Sequence, residues 1–149
     1  MRRAWCAFKY NDIDQPNRNK LLWRDRSVDG VKTGYTQDAG YCLVASAERD
    51  GMRLISVVLG TASDEARLRE SQKLLSFGFR NFETQTLYEA NSELRAEPVF
   101  YGTLESVGLG VVEEVAVTVP RGYYKDIQAE ISVPTQLEAP LVAGQVVGQ

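Results

Sequence analysis

Two apolar runs, residues 41–47 and 52–59, stand on either side of Arg49, Asp50 and Gly51. Runs of that length read as strands, and an Asp-Gly pair between them reads as a tight hairpin turn. Any fold open to this chain must contain that antiparallel pair. Residues 52–59 are interrupted only by Arg53 and Ser56, a pattern that expects cover on both faces of the strand. A helix is predicted next, over residues 63–77. Ser63 is a good N-cap, and Asp64 and Glu65 suit the positive end of the helix dipole. Leu68, Leu75 and Phe79 keep roughly helical spacing, Leu74 adjoins that stripe, and Gly78 is a natural stop.

Upstream, residues 1–20 are polar and rich in turn formers such as Asn11, Asp12, Pro16 and Asn19, and read as loop. Leu21, Leu22 and Trp23 are candidates to pack under a sheet. Asp29-Gly30 reads as a turn, Val31 as the start of a third strand, and Gln37, Asp38 and Gly40 as a second turn. Near residues 82–85 the strands shorten and turn residues crowd. Val115, Val117 and Val119 alternate with Ala116 and Thr118. Ile127, Ala129, Ile131 and Val133 alternate with Gln128, Glu130 and Ser132. This is the pattern of a small antiparallel domain with one buried face. The expected fold class is therefore α+β: antiparallel strands with a packed helix over residues 1–83, then a small, sandwich-like, all-β domain over residues 84–149.

Composition bounds function. Among 149 residues there is no histidine, which excludes a histidine general base and imidazole metal ligands. A net charge of −3 argues against a nucleic-acid surface. No apolar run approaches the ~20 residues that span a bilayer. Cys6 and Cys42 make no metal pattern. A disulfide between them stays open, and a buried free thiol at Cys42 suits its strand setting. No metal and no cofactor is expected. Arg2 and Arg3 precede no apolar stretch, so the start does not read as a signal peptide.

Val31-Lys32-Thr33-Gly34 is the stretch that points to chemistry. A strand can hold the Lys32 ammonium beside a cleft, where it attracts a carboxylate. The Thr33 hydroxyl can add a hydrogen bond, and Gly34 lets a peptide-like ligand lie against the strand edge. The triplet, residues 15–23 before it and residues 39–47 after it together resemble the low-molecular-mass penicillin-binding proteins. These are the serine-type D-alanyl-D-alanine carboxypeptidases, and the resemblance runs from about Tyr10 to the end. It implies a hydrolase that releases the terminal D-alanine through an acyl-serine. Its ligand would be a peptidoglycan stem peptide or a β-lactam, and its place the periplasmic face of the inner membrane.

The resemblance also assigns residues. Lys32 would be the electrostatic anchor, Thr33 the carboxylate ligand and Gly34 the open edge. The backbone N–H of Tyr35, which stands where several relatives have histidine, would be an oxyanion-hole donor. Arg67, 35 residues after Lys32, would help to hold the substrate carboxylate through paired hydrogen bonds; a solvated helix arginine is the alternative. No serine here is followed by lysine at the third position or asparagine at the second. The family's nucleophile and relay motifs are therefore expected upstream, and these 149 residues are expected to be inactive alone and to stop short of the family's terminal membrane anchor. A second reading is a non-catalytic cell-envelope interaction module built on the β domain. Self-association through exposed sheet surface is expected. Trp5, Trp23, Phe77, Phe79 and Phe82 are taken as core or interface aromatics, and Tyr123 and Tyr124 as ordinary strand-flanking residues.

Overall fold

The turn at Asp50 and Gly51 has positive φ at both residues, 49° and 77°, the geometry of the two-residue hairpin loops that match strand twist. The computed structural model describes residues 7–134 and 136–148; Cys6, Trp5, Arg2 and Arg3 lie outside them. The turn joins β4 (Gly40–Arg49) to β5 (Met52–Thr61). On the other side of β4 runs β3 (Val28–Thr36), giving an antiparallel sheet of order β3-β4-β5. Upstream lie β1 (Ala7–Tyr10), β2 (Ile13–Pro16) and a one-turn helix, α1 (Leu21–Arg24); downstream lies α2 (Asp64–Asn81). The chain divides into two compact units, Met1–Glu83 and Thr84–Gln149.

In the first unit α2 packs on β4 and β5. Leu68, Leu75 and Phe79 meet Leu43, Ala45, Ala47 and Met52, and Leu21 and Val28 complete the cluster. Leu21, Leu43 and Leu68 are fully buried, each worth about 1.5–3 kcal/mol of burial. The predicted N-cap is present: the Ala66 N–H donates to Ser63 Oγ at 3.1 Å.

The structure corrects several expectations. Residues 7–16 form an antiparallel hairpin, not loop, with Asn11 at φ 51° in its turn. Asp29-Gly30 is a bulge inside β3, where Asp29 is the extra residue between the pairs Val28–Ala47 and Gly30–Ser46. Its carboxylate is held by Arg53 Nη1 at 2.9 Å. The helix runs through Gly78 to Asn81. A Cβ at Gly78 would collide with a Leu54 methyl, so this glycine allows close helix–sheet contact and does not stop the helix. Residues 52–59 have the one covered face that the predicted helix can supply: Met52, Ser56 and Val58 are buried, while Ile55, Val57 and Leu59 are 65%, 55% and 69% exposed. Phe79 and Phe82 join the core, but Trp23 and Phe77 are each 55% exposed. Cys42 is a half-buried free thiol.

In the second unit β6 (Phe82–Tyr88), whose first two residues belong to the first unit, pairs with β9 (Val115–Pro120). Central β7 (Glu93–Phe100) pairs antiparallel with β8 (Ser106–Gly110) and parallel with β10 (Leu137–Glu138). Half-buried and exposed residues alternate along β8, as a sheet with one covered face requires. Residues 127–133, read as a strand from their alternation, carry no ladder; a 3-10 turn, Tyr124–Asp126, precedes them. Tyr123 and Tyr124 are 61% and 40% exposed.

Candidate active-site wall

Strand β3 is an edge of its sheet, and an open cleft runs along it. Lys32, Thr33, Gly34, Tyr35 and Arg67 all line that cleft, together with Arg18. Alternation along the strand places Lys32 and Gly34 on one face and Thr33 and Tyr35 on the other. Lys32 is exposed, and its ammonium hydrogen-bonds the Thr33 carbonyl. Thr33 is 7% exposed. Two acids also line the cleft, Asp29 and Asp64. Both are already paired with basic residues, so the charge left to a visiting ligand is positive.

Arg67 arrives from α2 and is 5% exposed. Its Nη1 donates to the Gly34 carbonyl at 2.9 Å and to the Cys42 carbonyl at 3.1 Å. Its Nη2 donates to Asp64 Oδ1. Its Nε is buried with no hydrogen-bond partner among the described residues. The guanidinium carbon stands 5.5 Å from the centre of the Tyr41 ring, close enough for a cation–π contact. Tyr41 in turn lies 4.3 Å from the Tyr35 ring. A buried guanidinium is costly unless its donors meet acceptors, and this one gives Nη1 to the two strands that carry the triplet and its neighbour and Nη2 to Asp64 of its own helix.

Two further supports were not read from the sequence. Asn19 is fully buried. Its Nδ2 donates to the Gly30 carbonyl at 2.9 Å, and its Oδ1 accepts from the Leu21 N–H at 3.1 Å. An asparagine two residues before an apolar helix start was the available signal. Asp64 accepts from Lys20 Nζ at 2.6 Å as well as from Arg67, so it ties the segment before α1 to the helix carrying Arg67. The Lys20 hydrogen bond, with help from Arg67 and against partial burial, holds the Asp64 carboxyl below the usual carboxylate range. The i, i+3 spacing of Asp64 and Arg67 was visible, but the partner 44 residues upstream was not. A second ion pair, Arg24 to Glu65 at 2.6 Å, binds the same two helices.

Against known proteins, the chain matches the family described as D-alanyl-D-alanine carboxypeptidase over residues 2–63. It matches the one described as penicillin-binding protein 5, C-terminal domain, over residues 82–149. It is 50% identical over 143 residues to the D-alanyl-D-alanine carboxypeptidase DacC of Escherichia coli (strain K12), covering 95% of this chain and 36% of that protein. With the DacA enzyme of Haemophilus influenzae it is 47% identical, covering 95% and 37%. The chain thus spans little more than a third of the length of these curated relatives. The crystal structure of penicillin-binding protein 5 from Haemophilus influenzae superposes with a TM-score of 0.79 at 46% identity, covering 96% of this chain and 42% of that one.

Proposed function

We propose, for a chain that belongs to the D-alanyl-D-alanine carboxypeptidase family, that its first unit supplies the Lys-Thr-Gly wall of an acyl-transfer site. On this reading residues 1–83 are the C-terminal part of the catalytic domain and residues 84–149 the β-rich domain behind it. The substrate is a peptidoglycan stem peptide ending in D-Ala-D-Ala, and a β-lactam is its mimic. The setting is the periplasmic face of the inner membrane. The single observation that carries the reading is the placement of the triplet on an exposed sheet edge, at a cleft whose acids are already neutralised. The ligand's carboxylate is drawn to Lys32 and hydrogen-bonded by Thr33. Arg67 adds its positive charge from behind, since most of its donors are taken by the chain itself. Gly34 lets the ligand backbone approach, and the Tyr35 N–H faces the oxygen on which charge develops.

No serine of this sequence stands in a Ser-x-x-Lys or Ser-x-Asn setting, so the chain binds at this wall without being acylated. The test has two parts. Intact-protein mass spectrometry after incubation with a penicillin is expected to show no adduct, and an adduct would overturn the assignment of the nucleophile. Titration with N-acetyl-D-Ala-D-Ala is expected to perturb the Lys32, Thr33 and Tyr35 amides in NMR spectra. If those amides stay fixed while others move, the triplet is not the ligand wall.

A second reading rests on the surface of the second unit. Tyr101, Leu104 and Val142 are 88%, 66% and 72% exposed, apolar side chains available for a partner to cover. It makes the β domain an interaction module for another envelope component. Tyr101→Ser with Leu104→Ser would then weaken that contact and leave the unit folded.

A further inference from the structure

We propose that Arg67 is a positioning residue that fixes and polarises the Gly34–Tyr35 peptide unit from behind, aiming and strengthening the Tyr35 N–H as a donor. The inference rests on the reading of that N–H as an oxyanion donor. The Gly34 carbonyl and the Tyr35 N–H belong to one trans peptide. In a trans peptide these two groups point in opposite directions. Whatever grips the carbonyl therefore decides where the N–H points. The pairing of Gly34 with Cys42 in the β3–β4 ladder sets the plane of this peptide, and Nη1 of Arg67, 2.9 Å from the Gly34 oxygen, adds a charged grip to it.

The grip is also electronic. A charged donor on a carbonyl draws electron density through the amide and makes the N–H at its other end a stronger donor, as hydrogen-bonded chains do. The effect needs a charge that water does not screen, and Arg67 is 5% exposed. The guanidinium is itself held in place. Asp64 takes Nη2, Lys20 holds Asp64 at 2.6 Å, and the Tyr41 ring covers one face of the guanidinium. The same Nη1 donates to the Cys42 carbonyl at 3.1 Å, whose peptide carries the Leu43 N–H, so a second amide reports the same effect. A tie between helix and sheet could be made from many places. This one ends on the peptide whose far side faces the proposed ligand.

The experiment uses the whole chain, labelled with nitrogen-15. In Arg67→Gln the Tyr35 amide proton is expected to move upfield, further than any amide of β5 or α2, with Leu43 following in the same sense. Arg67→Lys, which restores charge without the planar fork, recovers part of the shift. Asp64→Asn keeps the guanidinium but frees its plane, and moves Tyr35 in the same direction by less. If Arg67→Gln does not fold, the lysine and Asp64 variants carry the comparison. A Tyr35 shift no larger than those of β5 amides in every folded variant overturns the proposal. The N-acetyl-D-Ala-D-Ala titration is scored separately. Unperturbed Lys32 and Tyr35 amides there overturn the ligand site, not the measured polarisation.

Discussion

Asn19 donates from Nδ2 to the Gly30 carbonyl at 2.9 Å, and so fastens the segment before α1 to the strand that carries Lys32 two residues later. Both ends of the amide are used inside the protein, since Oδ1 accepts from Leu21. Asn19→Ala leaves the buried Leu21 N–H and the half-buried Gly30 carbonyl without this partner, at a cost of about 1–3 kcal/mol for the buried group. Denaturant titration is expected to show that loss, with Lys32 and Thr33 amides shifted further than those of the second unit. An unchanged midpoint would show that water replaces the side chain.

Gly78 faces Leu54, and the sign of its substitution depends on which residue replaces it. Alanine gains about 1 kcal/mol of helix propensity. The atom it meets is a terminal methyl of half-buried Leu54, which can rotate away. Gly78→Ala is expected within about 1 kcal/mol of the parent. Gly78→Val adds a branch that a single rotamer change of Leu54 cannot clear, and is expected to cost about 1–3 kcal/mol. Chemical denaturation of the two variants side by side checks the contrast.

Asp64 gives the first unit an acid-sensitive joint. The Lys20 hydrogen bond and the Arg67 pair depress its folded-state pKa. A carboxylate whose pKa is lower when folded contributes stability that is complete above its unfolded value. That contribution is lost as pH falls through the folded value. Stability from this group is therefore full at neutral pH and declines below about pH 4. Asp64→Asn is expected to be less stable than the parent at pH 7 and to show a shallower decline on acidification. Midpoints measured from pH 7 down to about pH 3 test the difference in slope; parallel curves would assign the acid limb to other carboxylates.

Ile55, Val57 and Leu59 form an exposed apolar row on an edge strand of ten residues. Open edges of this kind pair with other chains unless a charge blunts them. The described charge on the row is Arg53, already engaged by Asp29 and Glu48. The chain is expected to self-associate as its concentration rises, and Val57→Lys is expected to restore a monomer without disturbing the core on the opposite face. Sedimentation velocity across a concentration series measures both. Equal association by the parent and Val57→Lys would remove β5 from the interface.

What the sequence made legible was local. The Asp50-Gly51 turn, the Ser63 cap and the strand carrying Lys32 each depend on residues a few positions apart. Errors arose where the deciding partner is distant or the signal has two meanings. Asn11 and Asp12 mark turns, and the turn they mark closes the β1–β2 hairpin. Gly78 has the composition of a helix stop, but Leu54 on another element decides its role. Residues 127–133 alternate as a strand does, yet alternation does not supply a neighbour to pair with. At the site, Lys32 to Tyr35 and Arg67 were named from the chain. Asn19, Lys20 and Asp64 were not, because each acts through a contact made only after folding.

The parallel pair of β10 with β7 has a consequence for the order of events during synthesis. Strands β3, β4 and β5 follow one another through short turns, so their sheet can close as soon as residue 61 has left the ribosome. Strand β7 must wait for its second neighbour: Val99 is matched to Leu137. That closure is entropically costly before it brings any contact. Until Leu137 and Glu138 emerge, the side of β7 that they pair with is an open edge. A chaperone that delays pairing would therefore act on the second unit over the interval between the synthesis of β8 and that of β10.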